Sequence, residues 1–176
     1  LHEVKTTFYR QLLSTGKIPM RPGVKRLLLE AREKNYRLAI ATTTTLENVY
    51  ALFAHALDLH APDWFEVIAA GDIVEAKKPA ADIYLYAMEK LGLTADACLA
   101  FEDSRNGLLS AVQSGLRTVV TINGYTYDHD FTGALAVIDH FGEPGKSFKL
   151  ITGEVYGHSF VNIDLLENWY QKNTPP

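Results

Sequence analysis

Residues 37–45 read RLAIATTTT, a short apolar run that ends in four threonines. A continuous apolar run of this length is typical of a strand that is buried on both faces. Residues 98–104 repeat the pattern as CLAFEDS, with an acidic pair directly after the apolar run. Apolar residues at helical spacing follow each run, in residues 46–57 and 108–113. Because strands separated by helices cannot pair as hairpins, these stretches predict a parallel sheet.

The same alternation of strands and helices extends in both directions from these two stretches. Further strands are predicted at residues 65–69, 118–121 and 136–138, and further helices at residues 24–31 and 83–91. Right-handed crossovers between parallel strands place helices on both faces of a sheet. We therefore expect an α/β fold in which helices flank a mostly parallel sheet.

Two segments lie outside this alternation. Residues 2–14 have apolar residues at helical spacing, and a stiff connector with two prolines, Pro19 and Pro22, follows them. After Gly145 the alternation ends, and the remaining chain contains one predicted strand and one predicted helix. The predicted organisation is an N-terminal piece in residues 1–18, an α/β domain in residues 19–145 and an extension without a predicted role in residues 146–176.

The composition excludes several classes of protein and of partner. The chain has 176 residues, of which 47% are hydrophobic and 22% charged, as in globular domains and unlike disordered chains. A net charge of −4 without a dense Lys/Arg cluster argues against a nucleic-acid partner. No apolar stretch approaches the roughly 18 residues of a membrane span, so we expect no membrane association. The single cysteine, Cys98, excludes an internal disulfide and favours the cytoplasm or another reducing compartment.

Polar side chains follow three of the predicted strands. They are the hydroxyls of Thr42, Thr43, Thr44 and Thr45, the amines of Lys77 and Lys78, and the carboxylates of Glu102 and Asp103. In open α/β sheets, ligands bind beyond the carboxyl ends of the strands, where such groups meet. Hydroxyls, a cation and a carboxylate pair are the groups that hold a phosphoryl group and a hard divalent ion. The sequence therefore predicts a phosphate site with a metal at this edge.

Each of the three groups also has a purely structural interpretation. Threonines before an apolar helical run are typical helix caps, and two lysines before Pro79 are typical of a solvated loop. Acidic residues are also favoured at the start of a helix by its dipole. However, adjacent carboxylates at the end of a buried strand repel one another, and a bound cation relieves that repulsion. The placement of all three groups at one edge favours the functional interpretation.

Three runs carry a resemblance to a known family. Residues 37–44, 69–84 and 100–107 resemble, in order, the second, third and fourth motifs of haloacid dehalogenase-like (HAD) hydrolases. The resemblance covers roughly residues 2–142 and is greatest to the CbbY-like sugar-phosphate phosphatases, which are related to β-phosphoglucomutase. It implies a Rossmann-like, HAD-type core in which residues 2–14 are the last helix of a helical cap. It also implies Mg²⁺ as the cofactor and a small phosphorylated metabolite as the ligand.

The same resemblance implies a role for each candidate site residue. Two residues would be catalytic: Thr42 by hydrogen-bonding the transferring phosphoryl group, and Lys78 by neutralising charge between nucleophile and phosphate. The backbone amides of Thr43 and Thr44 would bind substrate, as would Lys5 from the helical cap. Carboxylates would hold the metal, with Asp103 as a ligand and Glu102 as a ligand or its supporting partner.

The first motif of the family has no counterpart in this sequence. In the family it is an aspartate nucleophile, with a second aspartate two residues later as general acid and base, on the strand between those that end here at Thr42 and Asp103. Asp128 and Asp130 have the same spacing, but a loop and not a buried strand precedes them, so we expect no catalytic role for them. Two explanations stay open. Either the chain is part of a longer molecule, or it is truncated and closes its sheet with the strand predicted in residues 148–155, by direct pairing of the flanking strands, or with a second subunit.

Two functions of different classes follow from these alternatives. The first is a Mg²⁺-dependent phosphatase of small sugar phosphates or phosphomonoesters, acting through an aspartyl-phosphate whose nucleophile is not in this chain; a phosphomutase is its close variant. The second is a non-catalytic HAD-like remnant, for which we expect a homodimer formed through unpaired strand edges. A nucleotide-binding dehydrogenase is set aside because no glycine-rich turn follows a predicted strand.

Overall fold

The computed structural model describes residues 19–172. In chain order its elements are α1 (Val24–Glu33), β1 (Ala39–Thr42), α2 (Leu46–Ala56), β2 (Val67–Ala70), α3 (Asp82–Leu91), β3 (Leu99–Glu102), α4 (Arg105–Gln113), β4 (Arg117–Thr121), β5 (Ala136–Ile138), β6 (Leu150–Thr152) and α5 (Ile163–Lys172). Short 3₁₀ turns occupy Ala61–Trp64 and Ala95–Ala97. The helix predicted in residues 2–14, and Lys5 with it, lies outside the described residues. None of these helices combines the length and the apolar character that a membrane crossing requires.

Within residues 19–172 the predicted strands and helices are confirmed, with shifts of up to three residues at their ends. The first two strands begin two residues later than predicted, at Ala39 and at Val67. Arg37 and Glu66 precede these strands and form an exposed ion pair of 2.5 Å between Nη2 and Oε1. Charged side chains at the amino ends therefore remain in solvent, and only the apolar centres of the runs enter the sheet.

The strands form two separate sheets. β1 and β2 pair in parallel, and the second sheet has the order β3-β4-β5-β6, in which only the β5/β6 pair is antiparallel. Within the described residues, β1 and β3 each pair on one side only. A cavity of about 820 Å³ lies between them and is lined by residues of both strands. The fold is thus the expected mostly parallel α/β arrangement, divided at one position.

The sequence left open two ways in which the chain itself could close the sheet between β1 and β3: with a strand from the C-terminal extension, or by direct pairing of β1 with β3. Neither is present among the described residues. The strand in the C-terminal extension, β6, pairs with β5 at the opposite edge of the larger sheet. β1 and β3 do not pair directly with each other. The expectation that a tail strand or direct pairing repairs the sheet is therefore wrong for this part of the chain.

The extension beyond Gly145 packs into the main core. Val161, Leu165 and Trp169 are fully buried in the same cluster as residues of α1, β4 and β5. The Trp169 indole Nε1 donates a hydrogen bond of 2.6 Å to the Glu154 carbonyl. A second cluster joins α3 and α4 to β2 and β3. The second cluster connects the two sheets, since β2 belongs to one sheet and β3 to the other.

Candidate active site

Lys78 connects the carboxyl ends of β1 and β3. Its Nζ donates a hydrogen bond of 2.9 Å to the Ala41 carbonyl in β1 and forms an ion pair with the Glu102 carboxylate in β3. Ala41 precedes Thr42, and Glu102 precedes Asp103. The structure thus brings the predicted Thr42, Lys78 and Asp103 to one edge, with the lysine side chain spanning the space between the two sheets.

The Glu102 carboxylate is held from three sides. It is paired with Lys78, it accepts a hydrogen bond from the Tyr84 hydroxyl, and its Oε2 lies against the backbone of Gly107. A Cβ on Gly107 would overlap this carboxylate, so the approach requires glycine. The Glu102 and Lys78 side chains are only 8% and 13% exposed. The stability of an ion pair so little exposed depends on additional hydrogen bonds, because both charges lose the solvation that water would give them.

Tyr84 contributes a ring as well as a hydroxyl. The Lys78 Nζ lies 4.7 Å from the centroid of the Tyr84 ring. Burial raises the pKa of the Tyr84 phenol far above its ordinary value, and the negative charge of Glu102 raises it further. The hydroxyl therefore stays protonated and remains a hydrogen-bond donor to Glu102.

The two predicted metal ligands have different environments. Glu102 is engaged by Lys78 and Tyr84, whereas Asp103 is exposed and makes no hydrogen bond or ion pair within residues 19–172. Of the two carboxylates, that of Glu102 is thus already engaged, and that of Asp103 has no partner among residues 19–172. The described residues contain no cluster of three or more His, Cys, Asp or Glu side chains that could hold a metal.

The four threonines divide into a turn and a cap. Thr45 caps α2, because its Oγ1 accepts a hydrogen bond of 3.4 Å from the Asn48 amide. The Thr44 amide donates to Thr42 Oγ1 at 3.2 Å, and Thr44 Oγ1 accepts from the Asn48 side chain at 3.2 Å. The Thr44 amide, expected to bind substrate, is thus directed to Thr42, while Thr43 is exposed. A hydroxyl that accepts through its oxygen retains its own proton to donate, so Thr42 can still donate to an anion.

Other acidic and hydroxyl groups near this edge have structural roles. Ser104 caps α4 by accepting a hydrogen bond of 3.2 Å from the Gly107 amide. Asp130 lies in an exposed loop after β4, and hydrogen bonds from Thr132 lower the pKa of its carboxyl. Asp128 lies in the same exposed loop, away from any strand.

Sequence reasoning missed two residues of the site, Tyr84 and Gly107. Tyr84 belongs to an apolar helical spacing and ends the run that resembles the third family motif, but neither pattern assigns it a role. The feature that could have identified it is a hydroxyl on the buried face of the helix, since a buried tyrosine hydroxyl needs a hydrogen-bond partner. Gly107 falls within the first turn of a helix, where glycine is unfavourable by about 1 kcal/mol relative to alanine. Such a glycine is an indication of close backbone approach.

Comparison with known proteins finds relatives in the same family that the three sequence motifs resemble. The sequence pattern of the family described as haloacid dehalogenase-like hydrolase matches residues 1–115. Protein CbbY of Rhodobacter capsulatus is 52% identical over 134 residues, which are 76% of this chain and 59% of that protein. The plasmid-encoded CbbY of Cupriavidus necator is 40% identical over 174 residues, or 97% of this chain and 66% of the relative. This chain therefore spans about three fifths to two thirds of the length of these relatives.

A solved structure extends the comparison to the fold. The crystal structure of CbbY from Rhodobacter sphaeroides in complex with xylulose-(1,5)bisphosphate superimposes with a TM-score of 0.77 at 43% identity. The match covers 82% of this chain and 64% of that one. The order of the three motifs, the α/β arrangement and these similarities agree. The chain belongs to the haloacid dehalogenase-like hydrolase family.

Proposed function

We propose that this chain forms most of the core of a Mg²⁺-dependent phosphatase that acts on small sugar phosphates or other phosphomonoesters. The observation that carries the proposal is the contact of Lys78 Nζ with both the Ala41 carbonyl and the Glu102 carboxylate. It joins the three loops that resemble family motifs. Phosphoryl transfer depends mainly on positioning and on charge stabilisation, which such a junction provides.

Two groups are suited to bind the oxygens of a phosphoryl group. An ammonium group has three N–H donors, and two of those on Lys78 have acceptors among the described residues. The third is available to a phosphate oxygen, with the positive charge held at that point by Glu102. The Thr42 hydroxyl, which accepts from the Thr44 amide, supplies a second donor.

Two carboxylates suit a magnesium ion better than a metal ion that takes all of its ligands from protein side chains. Mg²⁺ keeps several waters and is bound through one or two carboxylates together with substrate phosphate. Asp103 would be the ligand from this chain, and Glu102 would support it from its pair with Lys78. When bound, Mg²⁺ would neutralise charge on the phosphate oxygens.

The nucleophile of the proposed reaction is not in this chain, and the divided sheet supports the existence of a further strand. A strand inserted into a parallel sheet lies about 4.8 Å from each neighbour. The cavity of about 820 Å³ is lined by both β1 and β3, each of which has a free edge among the described residues, so it lies where such a strand would pair with both. A parallel strand there would end beside Lys78. Its aspartate would attack phosphorus, the alcohol would leave with a proton from a second acid, and water would release phosphate.

The substrate class is inferred from the relatives. The Rhodobacter sphaeroides protein was crystallised with a bisphosphate of a five-carbon sugar. A small phosphorylated sugar is therefore the first substrate to test for this chain.

A non-catalytic module is the second candidate, and the divided sheet also favours it. Without a further strand, the free edges of β1 and β3 present unpaired backbone groups to another chain. For this function we expect a homodimer in sedimentation and no phosphatase turnover.

Intact mass and a lysine pair distinguish the two functions. For the enzyme, the protein purified from its source has a mass well above 19.6 kDa and releases phosphate with Mg²⁺. We expect Lys78→Ala to lower turnover about 100-fold, as is typical when a charge-stabilising donor is lost. Lys77→Ala is the matched control, since Lys77 is exposed and paired with Asp72 at 2.6 Å.

Two results would contradict the enzyme. One is unchanged turnover in the Lys78→Ala variant. The other is a native mass of 19.6 kDa together with no phosphate release, which favours the non-catalytic module.

A further inference from the structure

We propose that Tyr84 is a positioning residue of this site, whose hydroxyl and ring together hold the Lys78–Glu102 ion pair in the orientation that leaves Lys78 able to bind an anion. The inference rests on the proposed function and adds to it a residue to which the family resemblance assigned no role. Tyr84 itself would contact neither phosphate nor metal.

The first argument is the sharing of one carboxylate oxygen. The Tyr84 hydroxyl and the Lys78 ammonium both donate to Glu102 Oε1. Because the Tyr84 hydroxyl satisfies part of the carboxylate's charge, the Lys78 ammonium is not drawn fully onto Glu102. It can therefore also donate to the Ala41 carbonyl. Without the hydroxyl, the carboxylate would draw the ammonium towards itself, because an unsatisfied buried charge is costly.

The second argument is the position of the ring. The centroid of the Tyr84 ring lies 4.7 Å from Lys78 Nζ, within the distance at which an aromatic face attracts a cation. The hydroxyl therefore constrains the acidic member of the pair, and the ring constrains the basic member. One side chain fixes both partners at once.

The third argument is the rigidity of the helix that carries Tyr84. The tyrosine is 8% exposed and lies on the buried face of α3, with Ile83, Ala87 and Met88. These residues pack against Ala69 of β2 and Ala100 of β3. The position of the ring is thus set by the core and not by the loop that contains Lys78.

The same helix supplies a matched control. Tyr86 is partly exposed, and its ring lies 5.3 Å from the Nζ of the exposed Lys90. Tyr86→Phe removes a phenol hydroxyl from α3 without touching Glu102. Tyr84→Phe removes the hydroxyl and keeps the ring, whereas Tyr84→Leu removes both.

The test measures how firmly the Lys78 ammonium is held, using ¹⁵N-labelled full-length protein. A buried, hydrogen-bonded ammonium exchanges its protons slowly and gives a resolved Nζ signal, which is assigned by its loss in the Lys78→Ala variant. We expect proton exchange to be about tenfold faster in Tyr84→Phe and faster still in Tyr84→Leu, with no change in Tyr86→Phe. Affinity for inorganic phosphate, titrated with Mg²⁺ present, falls about tenfold in Tyr84→Phe, the low end for supporting residues around a metal site.

The outcomes separate this inference from the proposed function. If the unaltered protein binds no phosphate with Mg²⁺, the proposed function fails, and this inference fails with it. If the unaltered protein binds phosphate but Tyr84→Phe leaves either the exchange rate or the affinity unchanged, only the role of Tyr84 is overturned. An unaltered protein without a slowly exchanging Lys78 signal overturns it as well.

A second measurement applies if Tyr84→Phe does not fold. In the unaltered protein, we expect a slowly exchanging Tyr84 hydroxyl proton with a nuclear Overhauser contact to the Lys78 ammonium. The absence of this contact would overturn the inference without any variant.

Discussion

At the scale of single residues, Lys77 and Lys78 are adjacent in sequence and have opposite environments. Lys77 pairs with Asp72 in solvent, whereas the Lys78 side chain is largely shielded from solvent and contacts both Ala41 and Glu102. Their residue type and their loop are the same, so composition and spacing give no difference between them, and only the family resemblance assigned a role to Lys78. The distinction comes from the tertiary structure, which offers a carboxylate and a carbonyl to only one of the two.

A glycine tests how tightly Glu102 is held. Gly107→Ala adds a Cβ that overlaps the Glu102 carboxylate. Helix propensity alone would favour alanine by about 1 kcal/mol, whereas forced overpacking costs about 1–3 kcal/mol. We therefore expect a net loss of unfolding free energy in urea, together with weaker phosphate binding.

The control for this substitution is Gly124→Ala, because nothing lies within 4 Å of a Cβ at that position. We expect its effect to stay within about 0.5 kcal/mol. A stabilised Gly107→Ala protein would contradict the close approach of Glu102.

At the scale of elements, the loops after β1 and β3 each begin at a strand end and lead into a helix whose first residues are capped by a side chain. Thr45 caps α2, and Ser104 caps α4, each immediately after the residues proposed for phosphate or metal. The cap interpretation is therefore correct for Thr45, whereas the functional interpretation stays a prediction for the residues before each cap.

Thr45→Ala tests this division. The loss of an N-cap hydroxyl typically costs about 1 kcal/mol of unfolding free energy. We expect that loss in thermal or urea unfolding, with phosphate affinity retained. Thr43→Ala is the control, since Thr43 is exposed and does not cap the helix; an equal loss in both variants would contradict the assignment of the cap.

The elements that the sequence predicted well are those with an unbroken apolar run. The runs at β1 and β3 were found because a strand buried on both faces needs no polar alternation. Tyr84 was missed as a site residue because its hydroxyl contacts Glu102, 18 positions away in sequence. The helical spacing that located α3 carries no information on such a contact. The hydrogen bond from the Thr44 amide to Thr42 Oγ1 likewise could not be predicted from the sequence pattern, because it depends on the conformation of the turn after β1.

At the scale of the whole molecule, the C-terminal extension and the N-terminal half of the described chain share one core. Trp169 is fully buried in the cluster that contains Leu27 and Ala31 of α1. At the surface, Lys34 directly after α1 forms an ion pair with Asp164 of α5, with 2.7 Å between Nζ and Oδ1. The extension is thus part of the structure that holds the candidate site.

Trp169→Ala tests the contribution of the extension. Removing a buried tryptophan side chain typically costs about 3–5 kcal/mol, so we expect a loss of that size in urea unfolding. Trp64→Ala is the control, because Trp64 is only partly buried, with Arg32 over its ring. A smaller loss for Trp169→Ala than for Trp64→Ala would contradict the role of the extension in the core.

The central claim is that Thr42, Lys78 and Asp103 surround one small anion and its counter-ion. It is tested most directly by a crystal structure of the full-length protein with Mg²⁺ and tungstate, a heavy tetrahedral analogue of phosphate. We predict one anomalous peak with oxygens at hydrogen-bond distance, about 3 Å, from both Lys78 Nζ and Thr42 Oγ1, and a metal on the Asp103 carboxylate. Tungstate bound elsewhere, or at neither side chain, would contradict the account.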